Sequence, residues 1–170
     1  MGGIIVDSLS LKQIRDFAKK IRIIFGIEDD VYVDIVRVYE YILQSIGVTF
    51  EIVDCASMGD KHGETLIGRN VIRIREDVYD RACKGYGRDR LTMAHELGHL
   101  LLHNMKNLSL ARNANQKVAA YSDPEWQANA FAGELLAPHR FLKGKSVDEI
   151  ANSYGISISA AQVQKNRRKG

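Results

Sequence analysis

The chain is poor in several features that mark secreted, membrane-spanning or strongly charged proteins. Among 170 residues there are two cysteines, Cys55 and Cys83, far apart and not in a C-x-x-C pair. They read as reduced thiols of a cytoplasmic protein rather than as a disulfide framework. No apolar run approaches the ~20 residues needed to cross a bilayer, so no membrane association is expected. The first residues lack a positive segment followed by an apolar stretch, so no secretory signal is expected. There is no internal repeat and no low-complexity linker. A strong charge of either sign is also missing. The formal net charge is +3, but Lys165, Arg167, Arg168 and Lys169 lie in the last six residues, and the remainder sums to about −1. No broad nucleic-acid face follows from that balance, and direct nucleic-acid binding is not expected. An apolar fraction of 45% is ordinary for a folded chain, and the length is enough for a real core.

Hydrophobic periodicity divides the chain. Ser8 or Ser10 caps a first helix with Leu11, Ile14, Phe17, Ala18, Ile21 and Ile24 at helical spacing, ended by Gly26. A second helix is predicted over about Asp30 to Ile46, with Val31, Ile35, Val38, Ile42 and Ile46 inward. The period then shortens to two. Residues 48–53 read as a strand, and Glu64–Ile67 with Val71–Arg75 as a hairpin about Gly68-Arg69-Asn70, with Ile72 and Ile74 on one face. A short helix near Asp77–Lys84 follows. The expected class is α+β, with a helical bundle packed on a small, mostly antiparallel sheet.

The chemistry concentrates in His95-Glu96-Leu97-Gly98-His99. The flanks Leu91, Met93, Ala94, Leu100, Leu101 and Leu102 are good helix formers, with Asp89 as the expected N-cap. Residues four apart share a helix face, so His95 and His99 can aim two imidazole nitrogens at one point. That is half of a tetrahedral zinc site, with bonds of about 2.0–2.1 Å. Glu96, on the adjoining side, is placed to take a proton from a water activated by the ion. Gly98 would cost about 1 kcal/mol against Ala in an ordinary helix, which points to a close backbone approach there.

A catalytic zinc needs a third protein ligand. The residues offer His103, His62, His139, Glu125 and Glu134. His103 lies one turn past His99, too far along a straight axis to join the same ion. It reads as a neighbour of the ligands or as a helix C-terminal residue, where a partly positive imidazole suits the dipole. His62 and His139 fall in predicted loops. Residues 123–138 read as one helix, with Asp123 as N-cap, Pro124 in the first turn and Pro138 beyond the end. Glu125, Ala128, Asn129 and Ala132 share a face of it. The alanines permit close packing, and Asn129 can bond the far ring nitrogen of a ligating histidine. Glu125 is either the third ligand or a complement to the positive helix start; the residues by themselves leave both readings open.

Two further segments bear on organisation. A structureless loop over Asn104–Ser122 would be unusual in a compact domain. Leu108, Leu110, Ala111, Ala114 and Val118 are expected to form a short helix there, a lid or substrate-selecting element, with Tyr121 as an oxyanion donor. Residues 146–161 read as two short helices about Gly155, opened by a Ser146/Glu149 capping box. The pattern is similar to the front of a helix-turn-helix, but only the basic tail follows, so a helical element packed beside the main domain is expected.

The stretch from Arg90 to His103, followed by Glu125-Trp126-Gln127-Ala128-Asn129-Ala130-Phe131-Ala132-Gly133-Glu134-Leu135-Leu136-Ala137-Pro138, resembles the ImmA/IrrE family of metallo-endopeptidases. That family has an H-E-L-G-H-x-x-L-H helix and a later E-x-x-A-N-x-F-A-x-x-L-L-x-P helix. Met93 and Ala137 stand where other apolar residues are frequent, away from the chemistry. The resemblance implies one catalytic Zn2+ held by His95, His99 and Glu125, with Glu96 as catalytic acid/base. It implies a zincin-like fold with the metal site between two helices, and an exposed edge strand, for which Val71–Arg75 is the candidate. The implied organisation is a peptidase domain over residues 1–142, a helix-turn-helix-like appendage over 143–164 and a basic tail over 165–170. The implied function is cleavage of a helix-turn-helix repressor to relieve transcriptional repression. The alternatives are a non-proteolytic anti-repressor that binds through the same groove, or a DNA-binding protein acting through its C-terminal helices.

Overall fold

The computed structural model describes residues 5–103, 108–109 and 122–167. Strand β1 (Ile5–Val6) leads into helix α1 (Leu11–Ile24). Ser10 caps that helix with a reciprocal capping box. Its hydroxyl accepts from the Gln13 amide at 3.2 Å, and its own amide donates to Gln13 Oε1 at 2.8 Å. Leu11, Ile14, Ala18 and Ile21 are buried as the spacing predicts, but Ile24 is 70% exposed. Arg22 is fully buried instead. Its guanidinium donates to the carbonyls of Leu135 (2.5 Å), Glu28 and Asp30, so the charge enters the interior with its donors satisfied.

The second helix starts later than its pattern predicts. Asp34 caps α2 (Ile35–Arg37), which passes through a π turn at Val38–Ile42 into α3 (Leu43–Ser45). The wider turn shifts the helical phase. Ile35 and Val38 are buried as predicted; past the π turn Tyr39 and Leu43 are buried and Ile46 is exposed, while Val31 lies before the helix and is exposed. A regular 3.6-residue period could not forecast that shift.

Strands β2 (Thr49–Val53), β3 (Gly63–Leu66) and β4 (Val71–Arg75) form a sheet in the order β2-β4-β3, with the short helix α4 (Cys55–Met58) between β2 and β3. The hairpin is antiparallel, pairing Gly63 with Ile74 and Leu66 with Val71. The β2–β4 pair is parallel, so the sheet is mixed rather than mostly antiparallel. Ile72 and Ile74 are fully buried on one face, as alternation predicts. The expected edge strand is overturned: Val71–Arg75 is central, and β3 is an edge among the described residues. Alternation fixes which face a residue takes but says nothing about strand order.

Helix α5 (Glu76–Cys83) and the 16-residue helix α6 (Gly87–Leu102) follow. Asp89 is not the N-cap of α6. It lies in the first turn, nearly buried, and accepts two hydrogen bonds from Arg81 at 2.9 and 3.1 Å. Leu108–Ser109 is a strand, β5, paired antiparallel with β1. The remainder of the helix expected in that stretch lies outside the described residues. Helix α7 (Pro124–Leu136) has Asp123 as N-cap and Pro124 in its first turn, as predicted. Its partner is α6, and the two cross where Gly98 faces Ala128. A Cβ at Gly98 would lie 3.2 Å from the Ala128 Cα and 3.0 Å from Phe131 Cδ1. The close approach that Gly98 implies is this one.

Helices α8 (Val147–Tyr154) and α9 (Ile158–Asn166) meet at Gly155, whose φ of +60° suits glycine. The Ser146/Glu149 capping box is present. Ile150, Tyr154, Ile156 and Ala161 join the same hydrophobic core as α1, α6 and α7. Buried Arg90 ties this turn down. It donates to the carbonyls of Tyr154 (2.9 Å), Gly155 and Val33, and lies 3.9 Å from the Tyr32 ring centre. Cys55 and Cys83 are free thiols, and no described helix is long and apolar enough to cross a membrane.

The crossing at Gly98 yields a first test. Gly98→Ala forces α6 and α7 apart against backbone, so it is expected to lose about 1–3 kcal/mol of stability in urea denaturation. The added methyl also widens the gap between the histidine pair and Glu125, so metal retention should fall with it. An unchanged midpoint with unchanged metal content would refute the tight crossing.

Candidate metal centre

The α6–α7 crossing brings His95, His99 and Glu125 together. One ring nitrogen of each histidine and a carboxylate oxygen converge to within 4.8 Å of one another. The Nε2 atoms of His95 and His99 are 3.0 Å apart, with their rings edge to face. Glu125 Oε2 is 3.0 Å from His95 Nε2, and Oε1 is 3.1 Å from His99 Nε2. Adjacent donors around a tetrahedral zinc with bonds near 2.05 Å stand about 3.3 Å apart. Each of the three separations is within a few tenths of an ångström of that spacing, with one carboxylate oxygen facing each imidazole.

The donor chemistry asks for a cation as well. His95 Nδ1 lies 2.9 Å from Asn129 Oδ1. An amide oxygen only accepts, so the imidazole proton sits on Nδ1 and Nε2 presents a lone pair. That lone pair faces a carboxylate. An added proton or a metal ion resolves the conflict. In the metal-free chain a proton does so in part. Burial of His95 lowers its pKa, but the bonds to Glu125 and Asn129 and the nearby carboxylates outweigh this and raise it overall. The same two histidines hold the Glu125 carboxyl well below the usual carboxylate range. Glu125 is also the exposed member, at 64% against 17% and 12% for the histidines, so it closes the triangle from the solvent side.

Glu96 is buried beside them, and its fit depends on the edge strand. Thr65 Oγ1 lies 2.7 Å from Glu96 Oε2 and 2.9 Å from the Glu96 carbonyl. A Cβ at Gly63 would come within 2.7 Å of Glu96 Cγ, so glycine is required where β3 crosses α6. A cleft of about 370 Å³, lined by Gly63, Thr65, Ile67, His95, Glu96, His99 and Glu125 among others, opens over the triangle. Neither Thr65 nor Gly63 is predicted from sequence. A Gly-x-Thr strand carries no signal until its neighbour is known.

The other predicted residues divide. Asn129 is at His95, as the helix spacing predicts. His103 is fully buried as the C-cap of α6, with Nδ1 3.0 Å from His99 Nδ1 and Nε2 2.9 Å from Gln127 Oε1. Burial first, and the neighbouring His99 to a lesser degree, outweigh the Gln127 bond and push its pKa down to about 4. The expected partly positive imidazole is therefore neutral, because no solvent reaches it to support the charge. Gln127 is a polar residue that sequence reasoning missed; its only signal is a buried amide among alanines. Glu134 serves elsewhere, bonded to Arg15 and Gln164. His139 is held by its backbone amide to Glu134, and His62 lies at the cleft margin beside Gly63 and Glu96. Neither belongs to the triangle. Tyr121 lies outside the described residues.

Comparison with known proteins agrees with this geometry. Residues 54–164, about two thirds of the chain, match the Peptidase_M78 family, described as the IrrE N-terminal-like domain. The matched span contains His95, Glu96, His99 and Glu125. No curated protein matches the chain.

The buried His103 gives a pH dependence with a definite sign. Its folded pKa lies below the unfolded value of 6.5, so the unfolded state binds more protons on acidification. Stability should be intact above about pH 6.5 and fall as pH drops towards about 4, by up to roughly 3 kcal/mol. His103→Gln should flatten that part of the urea-midpoint profile of the chelated protein. A native slope retained in the variant would assign it to other groups.

Proposed function

The chain belongs to the Peptidase_M78 family of IrrE N-terminal-like metallopeptidases, and from that premise we propose that it is a zinc-dependent endopeptidase. Its substrate would be a helix-turn-helix repressor, cut to relieve transcriptional repression in the cytoplasm. The observation that carries the reading is the triangle of His95, His99 and Glu125 with Glu96 buried at its side in an open cleft. Two imidazoles and a carboxylate match the ligand set of a catalytic zinc with one position left for water or substrate. When bound, zinc supplies Lewis acidity that lowers the pKa of a water to roughly 7 and polarises the scissile carbonyl.

The chain's own residues do the rest. Glu96 takes the proton of the attacking water and passes it to the leaving amine, as a general base and then a general acid. Thr65, at hydrogen-bond distance from both the Glu96 carboxylate and its carbonyl, holds that side chain in one rotamer. Asn129 fixes the His95 ring so that Nε2 points into the cleft. Among the described residues, strand β3 pairs with β4 along one side, and its other side would hydrogen-bond an extended peptide backbone. That arrangement supports a peptide substrate in strand form beside Glu96. The resemblance of the two motif helices to the ImmA/IrrE endopeptidases supports a repressor as the protein that supplies it. The free thiols of Cys55 and Cys83 fit a reducing compartment.

The test is incubation of the purified chain with a candidate helix-turn-helix repressor, with and without chelator. A clipped repressor, lost on chelation, is the expected result. Release of intact repressor from DNA would favour a binding regulator instead, and salt-dependent DNA binding that survives chelation would favour the C-terminal helices as the active part. Glu96→Gln should keep its metal and lose about 10²–10⁴-fold in kcat; undiminished cleavage would remove Glu96 from its role. Glu125→Ala should lose metal on dialysis, and full metal content in that variant would assign the third ligand elsewhere.

A further inference from the structure

The polar chain behind His99 extends away from the metal triangle and ends on the N-terminal segment. His99 Nδ1 faces His103 Nδ1 at 3.0 Å, His103 Nε2 faces Gln127 Oε1 at 2.9 Å, and Gln127 Nε2 donates to the Asp7 carbonyl at 2.8 Å. His103 and Gln127 are both fully buried. The proton positions follow from one fixed group. A main-chain carbonyl can only accept, so Asp7 holds the Gln127 amide with its NH2 towards Asp7 and its oxygen towards His103. That oxygen requires a proton on His103 Nε2. A second proton on His103 would place a charge in the interior, where neither ring nitrogen meets an acidic group. His103 Nδ1 is therefore a bare acceptor. The proton between the two histidines then belongs to His99 Nδ1, and His99 Nε2 is left with a lone pair aimed at Glu125 and His95.

We propose that Gln127 and His103 are positioning residues, which relay the orientation of the Asp7 carbonyl into the tautomer of His99 and so keep its Nε2 ready to bind metal. The inference rests on the reading of His99 as a ligand. The matching role at His95 falls to Asn129 in a single step; at His99 it takes three bonds and ties the site to the residue that follows β1.

Long-range ¹H–¹⁵N spectra of the full chain, zinc-loaded and after chelation, read the tautomers without any variant. The expected result is His103 protonated on Nε2 and His99 on Nδ1 in both forms. His103 protonated on Nδ1 in either form overturns the proposal. Gln127→Met keeps the side-chain length and removes the polar ends. It should release His103 into a mixture of tautomers and weaken zinc binding about 10–100-fold, measured by competition with a chromogenic chelator. A Q127M chain with the native His103 signature and native zinc affinity also overturns it. If Q127M does not fold, the spectra of the native chain decide. Neither measurement uses hydrolysis. A chain with the expected tautomers that leaves the repressor intact defeats the peptidase reading and upholds the relay.

Discussion

The site depends on how closely two helices approach at one point. α6 carries the histidines and Glu96, and α7 carries Glu125 and Asn129, so the metal triangle exists only if the two rods touch at the right height. Gly98, next to His99, removes the side chain that would hold the rods apart, and Ala128 does the same from α7. Ala132, a turn further along, is also fully buried. Small residues at a crossing let backbones come together, and the distance between the axes then sets the distance between side chains on either side. Donor atoms near 3 Å apart tolerate little slack, since a zinc bond of about 2 Å allows deviations of only about 0.2 Å.

Helix α7 must also be held in place, and buried polar contacts do this at its C-terminal end. Arg22 of α1 donates to the Leu135 carbonyl, Gln164 of α9 donates to the Ala137 carbonyl, and Arg15 and Gln164 meet Glu134. The last carbonyls of a helix have no partner within it, so these side chains satisfy groups that burial would otherwise leave unpaired. Phe17 packs on Phe131 with ring centres 5.8 Å apart, adding apolar contact along the same helix. The N-terminal helix and α9 thus hold the helix that carries Glu125 and Asn129, and Arg167, the C-cap of α9, donates to the Asn129 carbonyl at 3.3 Å. α9 buries Ala161 and Gln164 against the body of the protein.

The legible and illegible parts of the sequence separate on physical grounds. Helices with caps could be read, because Ser10, Asp123, Ser146 and Gly155 act on their immediate neighbours. The H-E-x-x-H spacing could be read because i, i+4 geometry is local, and the same holds for Asn129 relative to Glu125. What could not be read depends on partners distant in sequence. β4 alternates like any half-buried strand, and nothing in its residues says that β2 takes one side and β3 the other. The π turn in residues 38–42 shifts a phase that the apolar pattern alone leaves ambiguous. Asp89 has the chemistry of an N-cap, and only Arg81 explains why it lies a turn inside the helix. Thr65 and Gln127 are ordinary polar residues until Glu96 and His103 are placed against them.

Two influences act on the Glu125 carboxylate. As a first-turn acid of α7 it sits in the positive field of the helix start, and as a neighbour of His95 and His99 it faces two imidazoles. Both influences favour the carboxylate over the acid. A ligand must be deprotonated to bind metal, so the helix start prepares the group that the histidines then use. Its exposure has a consequence of its own. Two imidazoles fixed in the interior and a carboxylate on the solvent side would hold an ion facing the cleft that Gly63, Thr65 and Glu96 line, with buried His103 and Gln127 behind it.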